Sequence, residues 1–153
     1  VSFPTKAYRD WPTEYFLDLC NKIIDKNPNV HFLIYGGPSQ KEKEKLDLLI
    51  NGLNSYATSF VGNSLRETAA IMSKTSLYIG VDTGPTHIMS TFNVPMVVLF
   101  HCKLKSNIYG ALEHPCYFAI DHPNKKNCNE NSAMSDISVR TVLDSVEKAL
   151  YGR

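Results

Sequence analysis

Six consecutive residues, Asp82-Thr83-Gly84-Pro85-Thr86-His87, put a carboxylate, two hydroxyls, an imidazole and a glycine into one turn. The apolar run Leu77-Tyr78-Ile79-Gly80-Val81 leads into it, and the helical pattern Ile88-Met89-Ser90-Thr91-Phe92 follows at once, an order of strand, tight polar turn and helix. Backbone N–H groups at a helix start have no intrahelical partner and lie at the positive end of the macrodipole, so such a turn offers donors to an anion. Gly84 admits a phosphate close to the backbone, and Thr86 and His87 add side-chain donors in the first turn. Pro85 presets φ where a missing N–H costs little. A strand-to-helix turn that is merely well capped and binds nothing has the same composition, and the turn alone does not separate the two readings.

A second group with chemical capacity lies downstream: His101, Cys102, His114, Cys116, His122 and Cys128. These are zinc-binding residue types, but their spacings match no familiar zinc module, so no metal is expected there. The cysteines at 20, 102, 116 and 128 include no C-x-x-C pair, and no basic-then-apolar leader opens the chain. Reduced thiols are therefore expected, with a Cys116–Cys128 disulfide as the pairing for an oxidising preparation.

The 153 residues, 43% of them hydrophobic, suit one domain with a substantial core. A formal net charge of +1 leaves no basic excess for a nucleic-acid partner. No apolar run approaches the ~20 residues of a membrane span. The opening Val1-Ser2-Phe3-Pro4, without Met, suggests a domain cut from a longer protein.

The elements that must position the turn alternate. Val1–Phe3 reads as the end of a strand, followed by the polar loop Thr5-Lys6-Ala7-Tyr8-Arg9-Asp10. Pro12 opens a helix with Phe16, Leu19, Cys20 and Ile23 on one face. Residues 29–35 form a nearly continuous apolar run, as in strands buried on both faces, and stop at Gly36-Gly37-Pro38. A helix from about Ser39 carries the run Lys41–Lys45 on a solvated face, with Leu46, Leu49, Ile50 and Leu53 inward. Ala57–Val61 is a short strand, and Ser64 caps a helix bearing Leu65, Ala69 and Met72. Beyond the central strand and its helix, 94–100 is a fifth apolar strand, led by Pro95. From His101 to about Ser135 the pattern loosens into a long loop with a short sixth strand at 116–120, and 137–150 closes the chain as a helix. Strands alternating with helices four times predict an α/β domain, a Rossmann-like parallel sheet of about six strands with helices on both faces and ligands at the strands' C-terminal ends.

At this level the chain resembles glycosyltransferase family 9, the lipopolysaccharide heptosyltransferases. The residues that carry the resemblance are Gly80-Val81-Asp82-Thr83-Gly84-Pro85-Thr86-His87 and the Pro-led strand Asn93–Phe100. A basic residue just before Trp11-Pro12, the turn Gly36-Gly37-Pro38 and the helix start at Ser64-Leu65 agree with them in order. The resemblance implies one half of a GT-B fold: residues 1–153 as a single nucleotide-sugar-binding domain, a fragment lacking its N-terminal acceptor domain. The implied function is transfer of a heptose-like sugar from an ADP-heptose-class donor to a lipopolysaccharide inner-core acceptor. By position, Thr83, Gly84 and His87 would meet the diphosphate, Arg9 would assist there, and Asp82 would order the loop or accept from sugar hydroxyls. Gln40, with Glu42 close by, stands where many members hold the ribose with an acidic residue. No Asp-x-Asp motif is present, so neither metal nor other cofactor is expected at the diphosphate, and the catalytic base is expected from the N-terminal half. The implied enzyme is cytoplasmic, with peripheral association at the inner face of the inner membrane left open. His101-Cys102-Lys103 departs from the family's Gly-Pro-Thr after Phe100. Two other readings stay open: a non-catalytic nucleotide- or partner-binding module, and a GT-B nucleotide-sugar epimerase.

Overall fold

The computed structural model describes residues 7–111 and 113–152, with the backbone alone at Ala7. The expected strand end at Val1–Phe3 lies outside the described residues. Eleven regular elements follow in strict alternation up to the last helix: α1 (Thr13–Lys26), β1 (Phe32–Ile34), α2 (Gln40–Leu53), β2 (Ala57–Ser59), α3 (Leu65–Met72), β3 (Tyr78–Val81), α4 (Gly84–Met89), β4 (Met96–Phe100), α5 (Ser106–Tyr109), β5 (Tyr117–Asp121) and α6 (Val139–Tyr151). Three helices start where a serine side chain accepts a backbone N–H of the first turn: Ser39 from Glu42, Ser64 from Glu67 and Ser138 from Thr141. At α3 the Glu67 carboxylate also accepts from the Ser64 N–H, completing a capping box.

The described strands number five, not six, and they form two parallel sheets instead of one. β1 pairs with β2, and β3, β4 and β5 stand side by side in that order, with Tyr78 opposite Met96 and Met96 opposite Tyr117. The expected double-sided burial of the first apolar run is only partly met. It narrows to three residues, of which Ile34 alone is buried, because β1 and β3 both border a cavity of about 770 Å³ lined by Phe32, Leu33, Tyr78 and Ile79.

Every residue of β3 and β4 is buried, and the period of two divides them between two cores. Ile79, Val81, Val97 and Leu99 face α1, α2 and α6, where Trp11, Phe16, Leu19, Leu49 and Val146 lie. Tyr78, Met96, Val98 and Phe100 face the other way, toward Met72 of α3 and Met89 of α4. Trp11, fully buried, donates its indole N–H to the Ile137 carbonyl at 2.9 Å and meets Phe16 edge to face, tying the segment before α1 to the entry of α6.

The segment after β4 corrects the expectation for the cysteines. Cys102 is disulfide-bonded to Cys128 with their Cα atoms 5.7 Å apart, whereas Cys116 and Cys20 are free. Parallel pairing of β4 and β5 explains it: chain leaving the C-terminal end of each strand emerges at the same edge, so Cys102 and the irregular segment after β5 become neighbours across 26 residues. Three histidines staple the same region by one repeated device. The Nδ1 atoms of His101, His114 and His122 accept the backbone N–H two residues on, at 3.2, 3.2 and 3.0 Å. A ring nitrogen that accepts an N–H carries no proton, so each ring is an Nε2–H tautomer. The Nε2 groups donate to the carbonyls of Ser132, Phe92 and Ala133 at 3.0, 2.8 and 2.9 Å.

Candidate functional site

β3 ends at Val81, and the next residue, Asp82, is 5% exposed. A buried carboxylate must be compensated. Arg9, in a 3-10 turn just before α1, donates from Nη1 to the Asp82 carbonyl at 3.2 Å, and the same nitrogen lies 3.6 Å from Oδ2. On the other side His87 Nε2 lies 3.3 Å from Oδ1, without the alignment of a hydrogen bond: Oδ1 is buried and has no hydrogen-bond partner among the described residues. Arg9 Nε is likewise buried and unpartnered. Arg9, 73 residues before Asp82 in sequence, and His87 are thus gathered on one carboxylate at the C-terminal end of β3. The His87 side chain is 61% exposed, Asp82 is hidden beneath, and Arg9 is intermediate.

The turn itself is held from below. Thr86 donates its hydroxyl proton to the Val81 carbonyl at 2.6 Å and shares a 2.9 Å hydrogen bond with the Tyr78 hydroxyl. Thr86 is buried, so it is a structural pin and not the ligand donor its position suggested. Tyr78 reaches it by lying over Gly80, where a Cβ would come within 2.5 Å of the phenol oxygen. Thr83 begins α4 with no side-chain cap; its hydroxyl turns back to the Val81 carbonyl at 3.3 Å. Gly84 does not adopt a positive φ, and a Cβ there would meet nothing within 4 Å, so the space over its Cα is open.

Gln40 is not brought into this cluster. It is exposed on the first turn of α2 and donates to Glu44 Oε1 at 3.3 Å. Its neighbour Glu42 is committed to the Gly36-Gly37-Pro38 turn: it accepts the Gly37 N–H at 3.2 Å, and the Ser39 hydroxyl at close range. A Lys45–Asp10 ion pair joins α2 to the residue after Arg9.

Two residues that sequence reasoning passed over support the site. The Tyr8 ring lies 4.9 Å from that of His101, and the Arg9 guanidinium lies 5.6 Å over Tyr8, so the loop after β4 underlies the segment that delivers Arg9. Burial pushes His101 below the ordinary histidine pKa. His101, Cys102 and Cys128 also stand together, one nitrogen and two sulfurs within 4.8 Å of one another.

A parallel α/β domain whose charged residues collect on the turn at the C-terminal end of a strand has the Rossmann-like architecture, in which ligands bind at the strands' C-terminal ends. The profile of glycosyltransferase family 9 (heptosyltransferase) matches residues 3–136, and the chain belongs to that family. It is 28% identical over 113 residues to the lipopolysaccharide core heptosyltransferase OpsX of Haemophilus influenzae, a match covering 72% of this chain and 32% of that protein. The fold is shared with a family 9 glycosyltransferase from Veillonella parvula at a TM-score of 0.78, 20% identity, covering 99% of this chain and 46% of that one. It is shared too with the E. coli heptosyltransferase WaaC, solved with ADP, at 0.69 and 18%, covering 97% and 45%. The chain thus spans about a third of the curated relative and under half of the solved ones. No helix among the described residues is long and apolar enough to cross a membrane.

Proposed function

We propose that this chain is the donor-binding half of a heptosyltransferase, holding an ADP-heptose-class nucleotide sugar whose heptose passes to a lipopolysaccharide inner-core acceptor bound by an N-terminal domain. The observation that carries the reading is the Arg9–Asp82–His87 cluster at the end of β3 in a family 9 chain. One solved relative, WaaC, is in complex with ADP, which supports an adenine nucleotide over other nucleotides.

In such a transfer the acceptor oxygen forms a bond to the anomeric carbon while the bond from that carbon to the diphosphate oxygen breaks. Negative charge gathers on the departing ADP, and donors already fixed in place stabilise it without reorganising. Arg9 engages only Nη1 with Asp82 among the described residues, so its Nη2 group remains to face a phosphate. His87, exposed beside it, supplies a second donor, and the open space over Gly84 lets a phosphate oxygen reach the backbone at Thr83 and Gly84. Asp82 positions both side chains. With Glu42 spent on its own turn, the ribose contact falls to Gln40. The base that takes the acceptor proton belongs to the N-terminal domain, and the diphosphate needs no resident metal.

A thermal-shift panel of nucleoside diphosphates and nucleotide sugars tests this, because a ligand that binds only the folded chain raises its melting temperature. ADP and ADP-sugars should stabilise the chain and EDTA should leave the shift unchanged. A panel in which no nucleotide stabilises it refutes the donor-binding reading.

A further inference from the structure

We propose that the reduced chain carries a zinc-class metal site made of His101, Cys102 and Cys128, which the disulfide replaces on oxidation. The three ligand atoms already lie within 4.8 Å of one another. Tetrahedral ligands about 2.0–2.3 Å from a common zinc ion stand about 3.3–3.8 Å apart, so on reduction the two sulfurs, bonded in the disulfide, move apart and the nitrogen closes in. No large movement of the backbone has to precede binding. The site is built without reference to the donor cluster, so it stands or falls apart from the proposed function.

His101 shares its hydrogen-bonding pattern with His114 and His122; what sets it apart is that two sulfurs, those of Cys102 and Cys128, lie beside it. A metal-bound imidazole ordinarily donates its other ring N–H to a carbonyl or carboxylate, which fixes tautomer and orientation. His101 does this in advance: Nε2–H donates to the Ser132 carbonyl at 3.0 Å, Nδ1 is unprotonated, and Cys102 Sγ lies 3.9 Å from both ring nitrogens. The group now on Nδ1 is the Lys103 backbone N–H at 3.2 Å, in an exposed turn where water can take over that bond. The ring is 2% exposed, and Tyr8 and His122 flank it at 4.9 and 5.7 Å, so it cannot swing away. Two sulfurs and one imidazole nitrogen are a borderline-soft donor set suited to zinc, with water as fourth ligand.

The chemistry balances in two steps. A dithiol reductant gives two electrons and two protons to the Cys102–Cys128 bond, yielding two thiols and the oxidised dithiol. A divalent ion then displaces the two thiol protons and binds both sulfurs and His101 Nδ1. Either state closes the same covalent or coordinate clasp between the turn after β4 and the loop after β5, so the segment under Tyr8 and Arg9 stays fixed in both.

The test uses the whole chain, reduced with a phosphine and freed of reductant under anaerobic conditions, then titrated with Zn²⁺ against a chromophoric chelator and, separately, with Co²⁺. The expected result is one equivalent of zinc bound, thiolate-to-cobalt charge-transfer absorption with tetrahedral ligand-field bands, and no uptake by the disulfide form. Cys102→Ser and Cys128→Ser should each weaken zinc binding by about tenfold or more, while Cys116→Ser should not change it. To exclude misfolding of a variant as the cause, the wild-type chain is also alkylated with and without Zn²⁺ and mapped by mass spectrometry. Zinc should protect Cys102 and Cys128 and leave Cys116 reactive. Absence of stoichiometric binding by the reduced chain, or protection that omits either Cys102 or Cys128, overturns the proposal.

Discussion

His87→Ala and Arg9→Ala should separate binding from stability, because both side chains meet Asp82 but only one is half inside the protein. The His87 side chain is 61% exposed and makes no aligned hydrogen bond to Asp82, so its removal should change stability by less than about 0.5 kcal/mol. Arg9 differs. It is 27% exposed and holds both the carbonyl and the carboxylate of a nearly buried aspartate. Breaking a hydrogen bond to a charged group costs about 1.5–3 kcal/mol, and partial solvent screening of Arg9 argues for the lower end. At about 2–4 °C per kcal/mol for a domain of this size, Arg9→Ala should lower the melting temperature by about 3–6 °C. If the cluster binds the diphosphate, both variants should also weaken ADP binding by about 1–3 kcal/mol, about 5- to 150-fold in Kd. Calorimetric titration of ADP beside thermal melts of each variant reads both quantities. Unchanged ADP affinity in His87→Ala refutes the assignment of the turn to the diphosphate, and an unchanged melting temperature in Arg9→Ala refutes the pairing of Arg9 with Asp82.

Three further outcomes are expected. Gly84→Val should fold normally, since a side chain there meets open space, yet should bind ADP more weakly than either alanine variant; a titration that gives wild-type affinity shows that no ligand comes near Gly84. Thr86→Val, which loses the bonds to Val81 and Tyr78 at similar volume, should cost about 1–3 kcal/mol by chemical denaturation, and a loss below that range means that the pin is not needed. Burial lowers the His101 pKa, so the unfolded chain binds more protons than the folded one below the ordinary value of 6.5; the His101 contribution to stability should be flat well above that value and fall as pH drops through and below it, and His101→Gln should flatten that decline in melts taken across the range.

The alternation of elements was legible in the sequence because each buried strand is a run of apolar residues with a turn at its end. Val97 and Leu99 go to one core and Met96, Val98 and Phe100 to the other, as a strand buried on both faces requires. What periodicity does not carry is lateral pairing. Residues 29–35 look as apolar as β4, but burial depends on what lies alongside, and the cavity shared by β1 and β3 leaves β1 half-buried. The cysteine pairing was hidden for the same reason: 26 residues separate Cys102 from Cys128, and only the parallel register of β4 and β5 brings them to one edge. The inward direction of Thr86 does not follow from its place in a first turn, where a hydroxyl can point either way. The signal for its inward direction was Gly80, a lone glycine in an apolar strand, which leaves room for Tyr78 to cross and meet it.

The electrostatics of the candidate site turn on where its one buried charge is spent. A carboxylate beside a diphosphate would repel it in isolation, and composition alone cannot say whether Asp82 opposes the ligand or serves it. Its position decides the matter. Oδ2 sits against Arg9 beneath the surface, while the exposed group on the other side is His87. The aspartate's charge is thus offset by a guanidinium that retains unspent donors, Nε among them, and the face turned outward is imidazole and open backbone. Asp82 in this arrangement is what allows Arg9 and His87 to converge from opposite parts of the chain. Its replacement by Asn would preserve the shape while removing the charge that holds the guanidinium, leaving Arg9 the less well oriented for the loss.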